Sequence, residues 1–156
     1  LCRQTDILTN AGKTNNYVNI KKGQFCSAES VKHMVEKVVS QGNENIIITE
    51  RGNSFGYEDL VVDMRNIPIL KSLNKKVVLD VTHSLQKPNQ KIGVSGGTPK
   101  FIETIACAGI AAQVDGIFLE THPNPKNAKS DGSTMLELNK LEKLIIKLKA
   151  IRNVVI

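Results

Sequence analysis

Short apolar runs alternate along this chain with segments in which apolar residues recur at helical spacing. Four runs have the length and β-branched content of buried strands: YVNI (17–20), IIIT (46–49), VVLDVT (77–82) and GIFLE (116–120). The helical spacing is clearest after the first and last runs, at Val31, Met34, Val35, Val38, Leu141, Leu144, Ile145 and Leu148. The pattern predicts four strand-to-helix units, preceded by a helix that begins near Thr5.

Proline, glycine and threonine mark the expected boundaries of these helices. Gly42 should close the first helix of the repeating units, and Pro68 should start or kink the second. In the third unit, Thr98 and Pro99 are placed as the N-cap and the first helical residue, after a long loop that ends in SGG. That SGG segment is expected to act as a hinge before the helix or as part of a mobile cover over a site.

Strands that are apolar on both faces and separated by helices indicate a parallel sheet covered on both sides. Doubly wound sheets and (β/α)8 barrels of the TIM type both have this pattern. No GxGxxG follows any strand, which gives little support to a dinucleotide-binding Rossmann unit. The distinctive polar residues stand at strand ends, which favours a barrel. We therefore expect residues 1–156 to form one α/β domain of the (β/α)8 type, contributing four βα units.

Composition narrows the class of protein. The 156 residues are 40% hydrophobic and 23% charged, as expected for one globular unit. The longest apolar run, IACAGIAA, is well short of the roughly 18 residues that a membrane span needs. Three cysteines without CxxC spacing favour a reducing compartment, which we interpret as the cytoplasm. The net charge of +6 is scattered and not interleaved with aromatic residues, so anionic small molecules account for it as well as nucleic acid does.

Charged and ligating side chains follow each predicted strand at its carboxyl end. Lys21, Arg51 and His83 follow the first three apolar runs within two residues, and Glu120 closes the fourth. In a barrel these ends meet at one mouth. The arginine fork and the lysine ammonium suit a phosphate or carboxylate clamp. His83, Glu120 and Asp131 offer one nitrogen and two oxygen ligands, a set that suits Zn, Fe or Mn.

Each of these five residues also has a purely structural interpretation. His83 could be a hydrogen-bonded structural histidine, and Lys21 and Arg51 could be solvated surface charges. Glu120 could pair with a lysine, and Asp131 stands in SDGS, a good turn sequence.

Four other polar or reactive residues are assigned to structure rather than to the site. Lys22 is predicted to be a solvated surface charge, because strand alternation turns it away from Lys21. His33 and His122 are expected to be structural or exposed, and Cys107, among apolar neighbours, is most simply a core residue.

Eight segments resemble one family in order and spacing: CRQTD, NIKKGQF, TERGNSFGY, LVVDMRNIPIL, LDVTHSLQ, SGGTPKF, VDGIFLETHPNP and SDGSTML. They are similar to 3-deoxy-D-manno-octulosonate 8-phosphate synthase, and the similarity extends over almost the whole chain. The resemblance implies a homotetrameric (β/α)8 barrel that condenses phosphoenolpyruvate with arabinose 5-phosphate and releases phosphate, on the route to lipopolysaccharide. The related synthase of the shikimate pathway is the nearest alternative.

The resemblance also assigns roles to residues. It implies that Lys21, Gln24 and Arg51 bind phosphoenolpyruvate and that Lys21, Arg51 and His83 are catalytic, with His83 also contacting substrate. His83, Glu120 and Asp131 match three ligands of a divalent metal (Mn, Fe or Zn) in the metal-dependent class, whereas the metal-independent class needs no cofactor. The fourth ligand of the metal class is a cysteine in a segment that this sequence does not contain, and none of its three cysteines is assigned to that place.

In the resembled family, four further strands precede the segments matched here. We therefore expect the chain to be the C-terminal part of a synthase barrel. Two hypotheses follow: a transferase that forms the eight-carbon sugar phosphate, or a catalytically silent fragment that at most binds an anion or a metal. A half barrel would leave two strand edges without partners.

Overall fold

The computed structural model describes residues 1–90 and 95–155 as an α/β structure. The strands are β1 (Val18–Lys21), β2 (Ile46–Glu50), β3 (Asn53–Phe55), β4 (Asp59–Val61), β5 (Lys76–Asp80), β6 (Gln86–Lys87), β7 (Gly96–Gly97), β8 (Gly116–Phe118), β9 (Thr121–His122) and β10 (Leu136–Glu137). The α-helices are α1 (Thr5–Gly12), α2 (Val31–Val39), α3 (Asn66–Lys71), α4 (Ile102–Ala111) and α5 (Leu141–Val155).

The central sheet is parallel, with the strand order β1-β2-β5-β8. Ile20 lies beside Ile48 in the first pair of strands, and Ile48 lies beside Val77 in the second. All four strands therefore run in the same direction and end at the same edge, which confirms the predicted parallel sheet. Three pairs of short strands surround that edge: the antiparallel pairs β3–β4 and β6–β7 and the parallel pair β9–β10.

The core lies between this sheet and its helices. Side chains of the two middle strands, such as Ile48 and Leu79, are completely buried. The inward face of α2 is formed by the residues that its spacing predicted: Val31, Met34, Val35 and Val38. Helix α4 lies so close to β5 that a β-carbon at Gly109 would collide with the Leu79 side chain. The sheet is thus packed as tightly as a protein interior requires.

Helix boundaries follow the sequence prediction in part. Helix α1 begins at Thr5, as predicted, and Pro68 lies in the first turn of α3, where a missing N–H costs nothing. Thr98 is the N-cap residue and Pro99 the first helical residue, as predicted, but Pro99–Phe101 form a 3-10 turn that leads directly into α4, and the Thr98 hydroxyl makes no cap hydrogen bond. That hydroxyl points instead to the carbonyl of Leu85.

Two predicted strands end earlier than their apolar runs. Strand β5 stops at Asp80 and β8 at Phe118, two residues before the predicted ends. At β5 the cause is local, because Asp80 Oδ1 accepts hydrogen bonds from the backbone N–H groups of Thr82 (3.0 Å) and His83 (2.8 Å). These bonds turn the chain out of the sheet, and a 3-10 turn begins at His83.

The SGG segment forms part of a strand rather than a free loop. Gly96 and Gly97 are β7, which pairs with β6, and the Ser133 hydroxyl donates to the carbonyl of Ser95 (2.9 Å). Residues 91–94 of the preceding loop lie outside the described residues, so the hinge or cover interpretation stays a prediction. In the two stretches described, 1–90 and 95–155, the helices are all too short or too polar to cross a bilayer.

Replacing Ile48, which is fully buried in β2, should reveal how much the sheet depends on its core. We expect Ile48→Ala to lower the free energy of unfolding by about 2–5 kcal/mol, because it removes buried methyl groups and leaves a cavity. Ile146→Ala, at an exposed position of α5, should change it by less than about 0.5 kcal/mol. Urea unfolding of both variants checks this, and equal losses would contradict the assignment of the core.

Candidate active site

The predicted site residues meet at the carboxyl edge of the sheet, around one buried carboxylate. Asp80 is fully buried at the end of β5. Its Oδ2 atom lies 2.7 Å from Lys21 Nζ and 2.8 Å from His83 Nδ1. The same carboxylate thus holds a residue from the end of β1 and a residue after β5, although 62 positions separate Lys21 from His83.

The contact with Asp80 determines which nitrogen of His83 faces the site. An ionised carboxylate oxygen only accepts hydrogen bonds, so this contact places a proton on His83 Nδ1 and turns Nε2 towards the site. Nε2 lies 3.6 Å from Glu120 Oε1. Donor atoms of His83, Glu120 and Asp131 all lie within 4.8 Å of one another. A metal-ligating histidine usually binds the metal through one ring nitrogen and donates the N–H of the other to a carboxylate, as His83 does to Asp80.

Arg51 connects the cationic part of the site to this triad. Its Nη2 atom donates to the carbonyl of His83 (2.9 Å) and to Gln86 Oε1 (2.8 Å). The amide nitrogen of Gln86 then donates to Asp131 Oδ1 (2.7 Å). Arg51 Nε is buried and has no hydrogen-bond partner among residues 1–90 and 95–155. A buried donor without a partner is costly, and an anionic ligand would satisfy it.

Burial and charge act in opposite directions on the ionisable groups. Burial lowers the pKa of Arg51, and the carboxylates of Asp80 and Glu50 partly offset this. Burial by itself raises the pKa of Asp80, but hydrogen bonds from His83 and Lys21 outweigh it and leave the pKa below its usual value. Asp80 is therefore ionised at neutral pH and balances the cations that surround it.

Backbone geometry places the two carboxylates of the triad. The N–H of Glu120 donates to the buried Thr82 hydroxyl (2.8 Å), which fixes the chain just after β8. Asp131 has a φ of 51°, in the left-handed region that aspartate tolerates better than most residues. The next residue is Gly132, where a β-carbon would collide with the carbonyl of Pro125. Asp131 thus lies in a turn, as SDGS predicts, and its carboxylate lies close to the side chains of His83 and Glu120.

The prediction that Lys22 is a solvated surface charge is wrong. Lys22 is fully buried and its Nζ lies 3.2 Å from the equally buried Glu50. Alternation does turn Lys22 away from Lys21, but loop residues such as Gly52 and Asn53 cover that side, and both accept hydrogen bonds from its ammonium. The sequence correctly indicated the side of the strand to which Lys22 points, but it did not indicate that residues after β2 cover that side.

Three further residues of the site were missed at the sequence level. Asp80, Gln86 and Glu50 bond directly to Lys21, His83 or Arg51. Asp80 and Glu50 did carry a signal, since each is an acidic residue at the end of an otherwise apolar run, where it must find partners. Gln86 carried no comparable signal.

The remaining candidates lie apart from this cluster. Gln24 lies in the loop after β1, where its backbone carbonyl accepts a hydrogen bond from Ser54 N (3.0 Å). His33 is exposed on α2, and the His122 side chain bonds locally to Asn124. Cys107 is half-buried and packs against the core.

The fold and site together define an α/β protein with a cationic clamp and a histidine–carboxylate triad at the carboxyl edge of a parallel sheet. The profile of the DAHP synthetase I family matches residues 1–155. The chain belongs to this family.

Curated relatives add a more specific name. Proteins called 2-dehydro-3-deoxyphosphooctonate aldolase are 48% identical over 150 residues in Chelativorans sp. (strain BNC1), 49% over 150 residues in Brucella anthropi and 47% over 155 residues in Geobacter sulfurreducens. These matches cover 96%, 96% and 99% of this chain, but 54%, 54% and 57% of the relatives. The chain therefore spans about half the length of the curated relatives it matches.

Acid should weaken the structure through Asp80. Because its folded pKa lies below that of an unfolded aspartate, its contribution to stability is present above the ordinary aspartate pKa and is lost as pH falls through the folded pKa. At pH 7, Asp80→Asn should lower the free energy of unfolding by about 1–3 kcal/mol, and this difference should shrink towards pH 3. Urea unfolding across that range measures it. Asp6→Asn, at an exposed position, is the control, and a constant Asp80→Asn difference would contradict the ionised buried carboxylate.

Proposed function

We propose that this chain carries the phosphoenolpyruvate and metal sites of a 3-deoxy-D-manno-octulosonate 8-phosphate synthase, which joins phosphoenolpyruvate, D-arabinose 5-phosphate and water and releases phosphate. The proposal includes its architecture: the four parallel strands are the last four βα units of a (β/α)8 barrel. Within the described residues, β1 and β8 each pair with a strand on one side only, as strands at the border of such a half barrel would.

One observation carries the proposal. Lys21, Arg51, His83, Glu120 and Asp131, which are far apart in sequence, lie in one cluster at the carboxyl edge of the sheet, linked through Asp80 and Gln86. The identity of 47–49% to proteins named for this aldolase activity supports the same reading. The net charge of +6 suits two anionic substrates.

In the proposed reaction, the clamp contributes mainly by positioning phosphoenolpyruvate next to the sugar. Lys21 and Arg51 hold the phosphate and carboxylate of phosphoenolpyruvate, so that its methylene carbon faces the aldehyde carbon of the sugar. Carbon–carbon bond formation leaves positive charge on the other enol carbon, water adds there, and the phosphate then leaves. Holding the reactants in place before reaction can supply roughly 7–11 kcal/mol of the barrier. Gln24, beside the clamp, is proposed to contact the same substrate.

The triad fits a divalent metal. Two donors bonded to one ion at about 2.1 Å can be at most about 4.2 Å apart. The 3.6 Å between His83 Nε2 and Glu120 Oε1 is within that limit, and the 4.8 Å that spans all three donor atoms is slightly above it, so the side chains would draw together around a bound ion. Asp131 completes a set of one nitrogen and two oxygens that suits Mn, Fe or Zn. When bound, the metal would orient water or polarise the aldehyde oxygen. Asp80 keeps His83 Nε2 available, and Gln86 orients Asp131.

We further propose that the protein acts in the cytoplasm as a homo-oligomer, a tetramer as the resemblance implies. Neither nucleic acid nor membrane is a proposed partner. The scattered basic residues and the lack of an aromatic stacking pattern support the first point.

Phosphate release by the purified chain tests the proposed reaction. We expect release only when phosphoenolpyruvate and arabinose 5-phosphate are both present. The assay is repeated with added Mn²⁺ and with a chelator, and loss of activity in the chelator would assign the enzyme to the metal-dependent class. Replacing the five-carbon sugar phosphate with a four-carbon one tests the shikimate-pathway alternative. A folded chain that releases no phosphate with either sugar would contradict the proposal and support the catalytically silent fragment.

Removing the guanidinium of Arg51 should abolish the clamp. We expect Arg51→Ala to lower kcat/KM by about 100- to 1000-fold, as loss of one preorganised charged donor does in other enzymes. Arg65→Ala is the matched control, because Arg65 is exposed and, among residues 1–90 and 95–155, its ion pair is with Asp63. Wild-type turnover by Arg51→Ala would refute the clamp assignment.

Metal binding can be tested without turnover. We expect the chelator-treated chain to bind one Mn²⁺, and Asp131→Asn to weaken that binding by at least about 10-fold, measured by electron paramagnetic resonance of free Mn²⁺. Glu137→Gln, which alters an exposed carboxylate paired with Lys140, should leave the affinity unchanged. Equal affinity of the wild type and Asp131→Asn would show that the triad is not the metal site.

A further inference from the structure

We propose that the buried Lys22–Glu50 ion pair is a positioning device that holds the anion clamp in its binding geometry. The pair lies directly behind the clamp and bonds to the loops that carry Gln24 and Arg51. The inference rests on the proposed function, in which those residues bind phosphoenolpyruvate. Lys22 and Glu50 themselves face away from the ligand and act through the backbone.

Lys22 joins two loops through one ammonium group. Its Nζ lies 3.2 Å from Glu50 and donates to Asn53 Oδ1 (2.9 Å) and to the carbonyls of Cys26 (3.3 Å) and Gly52 (3.4 Å). Cys26 lies in the loop between β1 and α2, and Gly52 and Asn53 follow β2. Since the ammonium is fully buried, water does not compete for these bonds.

Glu50 acts on the backbone of Arg51 itself. Its Oε1 atom accepts hydrogen bonds from the N–H groups of Arg51 (2.8 Å) and Gly52 (2.6 Å). Its Oε2 atom accepts from the side chain of Asn66 at the start of α3 (3.0 Å). The direction in which Arg51 leaves the strand is therefore determined by the carboxylate of the preceding residue.

Asn53 extends the same network to Gln24. Its side-chain nitrogen donates to the carbonyls of Gln24 (3.2 Å) and Cys26 (2.7 Å). The N–H of Ser54 donates to the carbonyl of Gln24 as well (3.0 Å). The backbones of Arg51 and Gln24 are thus both held by this network, and Lys21, the other clamp residue, directly precedes Lys22.

Stability alone does not explain such a pair. Removing two charges from water is expensive, and apolar side chains of similar volume often replace a buried ion pair with little loss of stability or with a gain. An apolar pair would leave the N–H groups of Arg51 and Gly52 without their acceptor. The charged pair can therefore fix the backbone geometry of the clamp, whereas an apolar pair could not.

Two double variants separate positioning from stability. Lys22→Met with Glu50→Leu removes both charges and the acceptor for the Arg51 and Gly52 amides. Lys22→Met with Glu50→Gln removes the charges but keeps an acceptor oxygen. We expect the Kd for phosphoenolpyruvate, from calorimetry on the whole chain, to rise about 10- to 100-fold in the first variant. In the second, we expect a smaller rise of about 3-fold, because the Lys22 bonds to the two loops are lost but the acceptor for the Arg51 and Gly52 amides is retained.

A matched ion pair at the opposite edge of the sheet serves as control. Asp115 lies 3.5 Å from Lys76 and also accepts a backbone hydrogen bond, from Val77 N (2.8 Å). Lys76→Met with Asp115→Leu removes a charge pair and an amide acceptor in the same way, far from the clamp. It should leave the affinity for phosphoenolpyruvate unchanged.

Amide hydrogen exchange gives a readout that does not depend on the proposed function. Exchange at Arg51 and Gly52 should accelerate in the Leu double variant and stay slow in the Gln double variant. Protected amides in the Leu variant, or equal affinities of the two double variants, would overturn the positioning role. A wild-type chain that does not bind phosphoenolpyruvate would instead refute the proposed function, and amide exchange alone would then decide whether the pair orients Arg51.

Discussion

The buried carboxylate of Asp80 is the interaction on which the rest of the site depends. A fully buried charge is tolerated only when it is paired and hydrogen-bonded, and Asp80 accepts bonds from Lys21, His83 and two backbone N–H groups. The same bonds end strand β5, hold two residues from different strands side by side and leave His83 Nε2 free to face Glu120. The carboxylate of Asp80 therefore determines where β5 ends, balances the charge of the nearby cations and orients the His83 ring.

The same arrangement occurs on the neighbouring strand. Glu50 ends β2 as a buried carboxylate, immediately before Arg51, as Asp80 ends β5 shortly before His83. In both cases an acidic group neutralises the cations from the protein side and orders the backbone that follows the strand. Asp80 and Glu50 thus contact the cationic residues on the side of the protein interior. The buried Nε of Arg51 has no hydrogen-bond partner within the described part of the chain. An anionic ligand is the natural complement of such a surface.

Membership of the DAHP synthetase I family agrees with the parallel α/β sheet. The outer strands β1 and β8 pair on one side only among the described residues, and the chain matches about half the length of its curated relatives. Sheet edges without partners expose backbone donors and acceptors that another strand can use. The site described above is therefore the part of the proposed barrel mouth that these four strands supply.

Sequence by itself determined the parallel sheet and the convergence of Lys21, Arg51, His83 and Glu120, because apolar strands separated by helices must run in one direction and end at one edge. It also indicated Asp131, as a second oxygen ligand beside His83 and Glu120 and through the family resemblance. Only the tertiary structure decided which polar side chains are buried. Alternation shows to which side of a strand Lys22 points, but whether water or a loop lies there depends on contacts between residues about 30 positions apart, such as Lys22 and Asn53. The roles of Asp80, Glu50 and Gln86 were hidden for the same reason, since a hydrogen bond between distant residues leaves no periodic pattern in a single sequence.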